Sequence, residues 1–528
     1  MAENKGKNNN LYEVSQYYTP NQENSFYFPA KKLITDKIKG LVGGQKNFQN
    51  LLQKINIEAA SLFLEMAEDA VDETVFVKHR HDMHLTDVTK ELGFAQKLVA
   101  DGIIDGIGYS INFNDEPKVF TFTAAYGGLL KKISDSGGPV DGVASGSSVT
   151  SRNEALMKCL CEAIERTCGA YFKKKDFITA SYEELKKKGL NALDPRSFAG
   201  FSEKQIQEKK YLKDRRVTAD SVLGWVWGKS LITGEKIFVP AQLVYVPYKY
   251  ERNEAVIRLP LTTGAAIYTE ENEAMYRGLC EAVERDAFMI HYLNKLSPPI
   301  VDLENSLRGE FKPLLKTFKK YNLEIRVLDI TTDIAIPTFT TLAIDRTGIG
   351  PAVSVGNKAD FDVKNAIKGS IEEALKIRQW ARQQLITSPE VMKEARNNPD
   401  KIDTLGKRCL FWAPLNAIGE IEFFLRGPRK IINDIEKTPE SGKEKLKKAL
   451  EYFKANSEVV AVDTTIPEIK KYGFHSRMML SPELHHLHLW EGFKCLGGRR
   501  LYETPVKLGY FDKPKKEEEL NPTPHPFP

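Results

Sequence analysis

Asn153-Glu-Ala-Leu-Met-Lys-Cys-Leu-Cys-Glu-Ala-Ile-Glu-Arg166 returns further along the chain as Asn272-Glu-Ala-Met-Tyr-Arg-Gly-Leu-Cys-Glu-Ala-Val-Glu-Arg285. Paired positions (273 − 154, 281 − 162, 284 − 165, 285 − 166) differ by 119 each time, so the copies align without a gap. Each copy follows a short Gly-containing stretch, Ala144-Ser-Gly-Ser-Ser148 and Thr262-Thr-Gly-Ala-Ala266. The pattern reads as a duplicated loop-helix unit.

Helical geometry gives the repeat its chemistry. At about 100° per residue, Glu154, Lys158, Glu162 and Glu165 fall near 0°, 40°, 80° and 20° on the wheel. Glu273, Arg277, Glu281 and Glu284 fall likewise, so three carboxylates share one stripe of each helix. Like charges three apart are neighbours and repel, where an ordinary surface helix alternates signs. The other positions, such as Ala155, Leu156, Cys159, Leu160, Ala163 and Ile164, are small or apolar and turn the helix into the protein. Acidic pairs at a half-buried face call for a cation, and hard oxygen ligands select Mg2+ or Ca2+. Arg166 and Arg285 stand beside them, so a phosphate bridged by Mg2+ satisfies both signs. The Gly-containing stretches are expected to present N–H groups to an anion, as helix N-termini do. Neither a P-loop G-x-x-x-x-G-K-[ST] nor a G-x-G-x-x-G is present.

The rest of the chain sets the frame. It has 528 residues, 76 Lys and Arg against 71 Asp and Glu, a net charge of +5 and a mean hydropathy of −0.38. The charges are interleaved, which argues against a nucleic-acid partner. No apolar run approaches the roughly 18 residues of a membrane helix, and the first residues carry no apolar signal core; a cytoplasmic location is expected. The six cysteines include no C-x-x-C pair, against a thiolate zinc site or a disulfide scaffold. Residues 47–71 carry apolar side chains at helical spacing, so residues 1–73 are expected to form a helical extension and 74–528 the main domain. Strands are expected in the stretches from Gly106, Lys118, Leu323, Pro337 and Glu458, and a helix over 443–453, giving an α+β body. Two charged stretches, 202–216 and 388–407, read as exposed helix-loop insertions. His79-Arg-His-Asp-Met-His84 does not match H-x-H-x-D-H and is not read as a metal site, and His485-His-Leu-His488 reads as partly buried structure. Cys161 and Cys280 read as packing residues.

The two E-A-x-E-R helices resemble signature blocks of the YcaO family. So do Leu328-Asp-Ile-Thr-Thr-Asp-Ile-Ala-Ile-Pro337, read as a strand pair, the helix Ala366-Ile-Lys-Gly-Ser-Ile-Glu-Glu-Ala-Leu-Lys-Ile-Arg378, and Leu496-Gly-Gly-Arg-Arg-Leu-Tyr-Glu-Thr-Pro505. The resemblance implies a YcaO-like fold, with an ATP and Mg2+ site between the duplicated units, used to phosphorylate a peptide backbone amide oxygen. Carried over by motif, Glu162, Glu165, Glu281 and Glu284 would hold Mg2+. Ser147, Glu154, Lys158, Glu273, Arg277, Arg285, Glu373 and Arg378 would face the nucleotide. The chain departs from the family where many members have Gly-Lys-Gly and it has Gly146-Ser147-Ser148, and at Gly369 and Lys376 where arginine and glutamine are usual.

The sequence closes with Asn521-Pro-Thr-Pro-His-Pro-Phe-Pro528. Alternating prolines favour an extended polyproline II-like tail, here within 514–528 and reaching roughly 20 Å. In the family such an end resembles that of azoline-forming, streptolysin-type cyclodehydratases. The resemblance then implies that Cys, Ser or Thr of a ribosomally made precursor peptide is cyclised to a thiazoline or (methyl)oxazoline, with the Pro528 carboxylate and Arg285 as catalytic groups. It further implies an E1-like, leader-binding partner protein and a flavin-dependent dehydrogenase acting afterwards; a homodimer is compatible with the chain. Thioamide formation, or a non-catalytic ATP-binding scaffold role, are the alternatives.

Overall fold

The structure, a computed structural model, describes residues 88–527 apart from 111, 114, 139–141, 199, 434–437 and 454–456. The expected N-terminal extension, His79 to His84 and Pro528 lie outside the described residues. Contacts divide the chain into two units, the first holding residues 139–164 and those up to 132, the second 133–138 and 165 onwards.

In the first unit, α1 (Thr89–Ala100) buries Leu92, Ala95 and Leu98, one face at helical spacing. It is followed by β1 (Ile104–Ser110), β2 (Phe120–Tyr126) and β3 (Gly142–Ser148), which form an antiparallel sheet in the order β1-β2-β3. The first two match the strands expected from the sequence. The stretch Ala144 to Ser148, read as a loop, is instead the outer strand: Phe120 pairs with Ser148 and Ala124 with Ala144. From it the chain turns into α2 (Arg152–Gly169), most of which belongs to this unit. Ala155, Leu156, Cys159, Leu160, Ala163 and Ile164 are fully buried, as the wheel requires. Gly146 lets strand and helix touch: a Cβ there would stand 2.1 Å from the Cys159 nitrogen.

The second unit holds two sheets. One contains β4 (Ile178–Ala180), β5 (Leu223–Ser230), β6 (Lys236–Pro240) and β7 (Ala265–Tyr268), and takes in two later strands. After β7 the chain turns into α3 (Glu271–Leu293), the second copy of the repeat, buried on nearly every side from Glu273 to Leu293. Here too the helix meets the strand's backbone, but the glycine has changed partners. A Cβ on Gly278 of the helix would stand 2.4 Å from the Gly264 carbonyl oxygen. Gly278 is the counterpart of Cys159 (278 − 159 = 119), so the same close approach is met from the strand in one copy and from the helix in the other.

The other sheet runs β11-β10-β9-β8-β12, from β8 (Ile300–Val301), β9 (Leu323–Asp329), β10 (Thr338–Asp345), β11 (Val353–Ala359) and β12 (Arg429–Lys430). β10 is buried throughout; α4 (Val363–Thr387) packs on it and on β11. Leu328 to Pro337 is not a strand pair but the end of β9 and its connection to β10. α5 (Gly442–Leu450), β13 (Val460–Asp463), β14 (His475–Leu480) and α6 (Arg499–Lys507) complete the chain, with β13 and β14 entering the first sheet between β5 and β7. The duplicated element is therefore strand-turn-helix rather than loop-helix, and β11 with α4 is a third instance that the repeat search does not find.

The tail is not a free extension. Leu520 and Phe527 belong to a hydrophobic core with Phe288, Tyr292, Trp412 and Phe424. Trp412 Nε1 and the Tyr292 hydroxyl donate to the Pro524 carbonyl at 3.1 and 3.0 Å, and Arg408 Nη1 donates to the His525 carbonyl at 3.0 Å.

Candidate functional site

Each strand-turn-helix element holds a glutamate by the same bond. In the first unit the Ser145 N–H donates to Glu162 Oε2 at 3.3 Å. In the second unit the Gly264 N–H donates to Glu281 Oε2 at 2.8 Å, with donor and acceptor each displaced by 119 positions from the first copy. In the third, the Asn357 N–H donates to Glu373 Oε2 at 2.7 Å. The two Gly-containing stretches, expected to face an anion with their N–H groups, spend those of Ser145 and Gly264 on carboxylates of the protein itself. A hydrogen bond from the backbone fixes each carboxylate's orientation.

Within the first unit, Glu154 accepts from the Ser148 hydroxyl at 2.6 Å and pairs with Lys158 at 2.8 Å. Lys158 also donates to the Ser147 carbonyl at 3.3 Å, so Ser147, Glu154 and Lys158 come together at the end of β3. Glu165 and Arg166, in the C-terminal part of α2 that belongs to the second unit, pair at 3.7 Å.

Within the second unit, Arg285 bridges two glutamates of its own helix: Nη1 donates to Glu284 Oε1 at 2.8 Å and Nη2 to Glu281 Oε1 at 3.2 Å. The other Glu284 oxygen accepts from the Ala359 N–H of β11 at 3.2 Å. Burial pushes the Glu284 carboxyl up to about 7; Arg285 opposes this, and the nearby Glu373 and Glu281 add to it. The carboxylates of Glu281 and Glu373 thus gather like charge around Glu284, where it is repulsive. A divalent cation would relieve that repulsion. Each carboxylate has about four lone-pair sites, and Glu281 and Glu284 each use two, so acceptors remain for a hard metal. The residues present fit Mg2+.

Other expected nucleotide contacts are engaged within the protein. Arg277 pairs with Glu273 at 2.7 Å and with Asp360 at 2.5 Å, the doubled form of the Glu154 and Lys158 pair. Glu273, almost buried, also meets Lys445 at 3.5 Å. Arg378 is buried and pairs with Asp345 at 2.7 Å. Asp345 and Asp360 escaped the sequence reading because each lies at the end of a strand, with no motif around it.

One group was missed outright. His488, Glu491 and His525 are buried, with ligating atoms within 4.8 Å of one another, the one such group among the described residues. It is not read as a metal centre: Arg408 reaches Glu491 at 2.7 Å and Lys494 reaches it at 3.0 Å, so two cations already compensate the carboxylate. His485, His486 and His488 are all buried rather than partly so. Phe527, from the tail, places its ring 4.0 Å below the Arg285 guanidinium, which joins the tail to the acidic site.

Residues 146–485 match the model of a family described as YcaO cyclodehydratase, ATP- and Mg2+-binding, well over half of the chain. An uncharacterised protein of Methanothermobacter thermautotrophicus is 25% identical over 228 residues, 43% of this chain and 55% of that protein. The chain thus spans about half the length of that curated relative. Among solved structures, a heterocyclase in complex with substrate and cofactor superposes with a TM-score of 0.66 at 21% identity, over 91% of this chain and 69% of that one. A component of the Escherichia coli microcin synthetase McbBCD complex with pro-MccB17 bound gives 0.52 at 15% identity, over 79% of this chain and 96% of that one. These superpositions establish the shared fold.

Proposed function

Because the chain belongs to the YcaO family, we propose that it is an ATP- and Mg2+-dependent cyclodehydratase that converts Cys, Ser or Thr of a ribosomally made precursor peptide to thiazoline or (methyl)oxazoline rings. The observation that carries the reading is the recurrent anchored glutamate: Glu162, Glu281 and Glu373 all lie inside the matched segment and each is held by a backbone N–H. In the second unit, oriented carboxylates with Arg285 beside them suit a metal-bound polyphosphate.

Glu162, Glu165, Glu281 and Glu284 are the proposed Mg2+ ligands, and Ser147, Glu154, Lys158, Glu273, Arg277, Arg285, Glu373 and Arg378 the groups that shape the nucleotide site. ATP, when bound with its metal, supplies the phosphoryl group that makes the peptide amide oxygen able to leave. The peptide side chain attacks the preceding carbonyl carbon, the new ring forms, and that oxygen departs with the phosphate. Arg285, held in place by Glu281 and Glu284, offers its charge where negative charge grows. The carboxylate of Pro528, one position beyond Phe527, is the proposed acceptor of the attacking group's proton. A leader-binding, E1-like partner is proposed to deliver the peptide; the presence of pro-MccB17 in the microcin complex supports a peptide and partner proteins.

Purified protein, candidate peptide and partner are incubated with ATP and Mg2+ and followed by mass spectrometry. A loss of about 18 Da per Cys, Ser or Thr is expected. A gain of about 16 Da would replace this reading by thioamidation, and nucleotide binding with no mass change by a scaffold role.

A further inference from the structure

Arg285 is reached by the tail at one point. The Phe527 ring centroid lies 4.0 Å from its Cζ. The same ring packs against Phe288 at 5.5 Å between centroids. Arg285 and Phe288 are three apart on α3, hence neighbours on one helix face. Phe527 is therefore seated against two successive side chains of the helix that carries Glu281 and Glu284. It is 1% exposed, so the contact is shielded from water.

We propose that Phe527 is a positioning residue for the acidic site: its ring fixes the plane of the Arg285 guanidinium, so that one nitrogen meets Glu284 and the other Glu281. This rests on the reading of those glutamates as Mg2+ ligands. A guanidinium has its donors in its plane and none on its faces, so a ring stacked on a face leaves the edges for carboxylates. Both glutamates already give one oxygen to a backbone N–H and the other to Arg285. If the arginine swings away, both lose their second restraint together. The ring's own position is set through the tail backbone, by Trp412 and Tyr292 on the Pro524 carbonyl and Arg408 on the His525 carbonyl.

The test measures binding of the Mg2+ complex of a non-hydrolysable ATP analogue by calorimetry. Phe527→Leu keeps an apolar side chain but no ring face and is expected to bind roughly thirtyfold more weakly than the parent protein, the size of a desolvated cation–ring contact. Phe527→Met, which can still pack on Phe288, loses affinity as Leu does, and Phe527→Tyr keeps it. In an Arg285→Lys background the Phe527→Leu loss shrinks to under about twofold, because the two residues act as a pair. Pro528 is untouched in every variant, so its own role is not what changes. Melting temperatures identify any variant that fails to fold, and the Leu, Met and Tyr series stands on those that do. Parent-like affinity of both Leu and Met variants, or an equal Leu loss with Lys at position 285, overturns the positioning role while leaving the acidic site intact. No binding by the parent protein overturns both.

Discussion

Arg408→Met removes the guanidinium that holds the tail and leaves a side chain of similar length. Arg408 is fully buried and donates to Glu491 at 2.7 Å, to the His525 carbonyl at 3.0 Å and to the Leu489 carbonyl at 2.5 Å. Without it Glu491, held below the usual carboxylate range despite its burial by His488 and Arg408, keeps Lys494 as its cation. Breaking one side of a buried pair costs about 3–5 kcal/mol, and Lys494 offsets part of what the two stranded carbonyls add, so about 4 kcal/mol is expected. The second unit has roughly 370 residues. At about 2.1 cal/mol/K per residue its unfolding entropy is about 0.8 kcal/mol/K, and the melting temperature should fall by about 5 °C. Adding Glu491→Gln removes the stranded charge and should recover about half of the loss. Hydrogen exchange gives the local readout: peptides covering residues 520–527 lose protection, and those of β1 to β3 do not change. A fall of under about 1 °C, or a double variant that loses the sum of both, would refute the reasoning.

Glu281→Gln and Glu162→Gln should each cut ATP turnover by about a hundredfold or more, with little change in melting temperature; retained turnover contradicts the assignment of these carboxylates to the metal. Stability should fall on acidification. Burial lowers the His291 imidazole to about 4 and that of His485 to about 3, from an ordinary 6.5, so the unfolded chain binds these protons more readily. Their contribution is fully present above about pH 6.5 and is lost as pH falls through about 4, each tenfold difference in proton affinity between the folded and unfolded chain being worth about 1.4 kcal/mol. The melting temperature measured between pH 7 and 4 should drop, and His291→Gln should flatten part of the slope; a rise in acid would exclude neutral buried histidines.

The repeat was legible because helical spacing and a constant offset leave a mark in sequence. Glu162 and Glu281 could be paired by counting, and the structure gives both a backbone N–H partner at the equivalent position. What counting cannot reveal is which backbone lies opposite. Ala144 to Ser148 reads as a loop because Gly and Ser are poor strand formers, yet close helix contact demands small residues there, and β3 results. The third element was hidden because α4 shares the anchored carboxylate but not the E-A-x-E-R pattern. Arg408 lies just past a charged stretch read as an exposed insertion; burial of its guanidinium depends on Glu491 and on the tail, both far along the chain. The alternating prolines say nothing of the tail's burial, which Trp412, Tyr292 and Arg408 impose on it.

The woven tail also orders events in time. Tyr292 and Trp412 precede Pro524, whose carbonyl they hold, by 232 and 112 positions. A chain that emerges from the ribosome N-terminus first must carry the slot formed by Phe288, Tyr292 and Trp412 open and apolar until the proline-rich segment is made. Arg285 of the acidic site therefore gains its ring contact only once residue 527 has been made, 242 positions after the arginine itself. Half-made chains would be filled with other apolar segments rather than with their own, and would be the species most prone to associate.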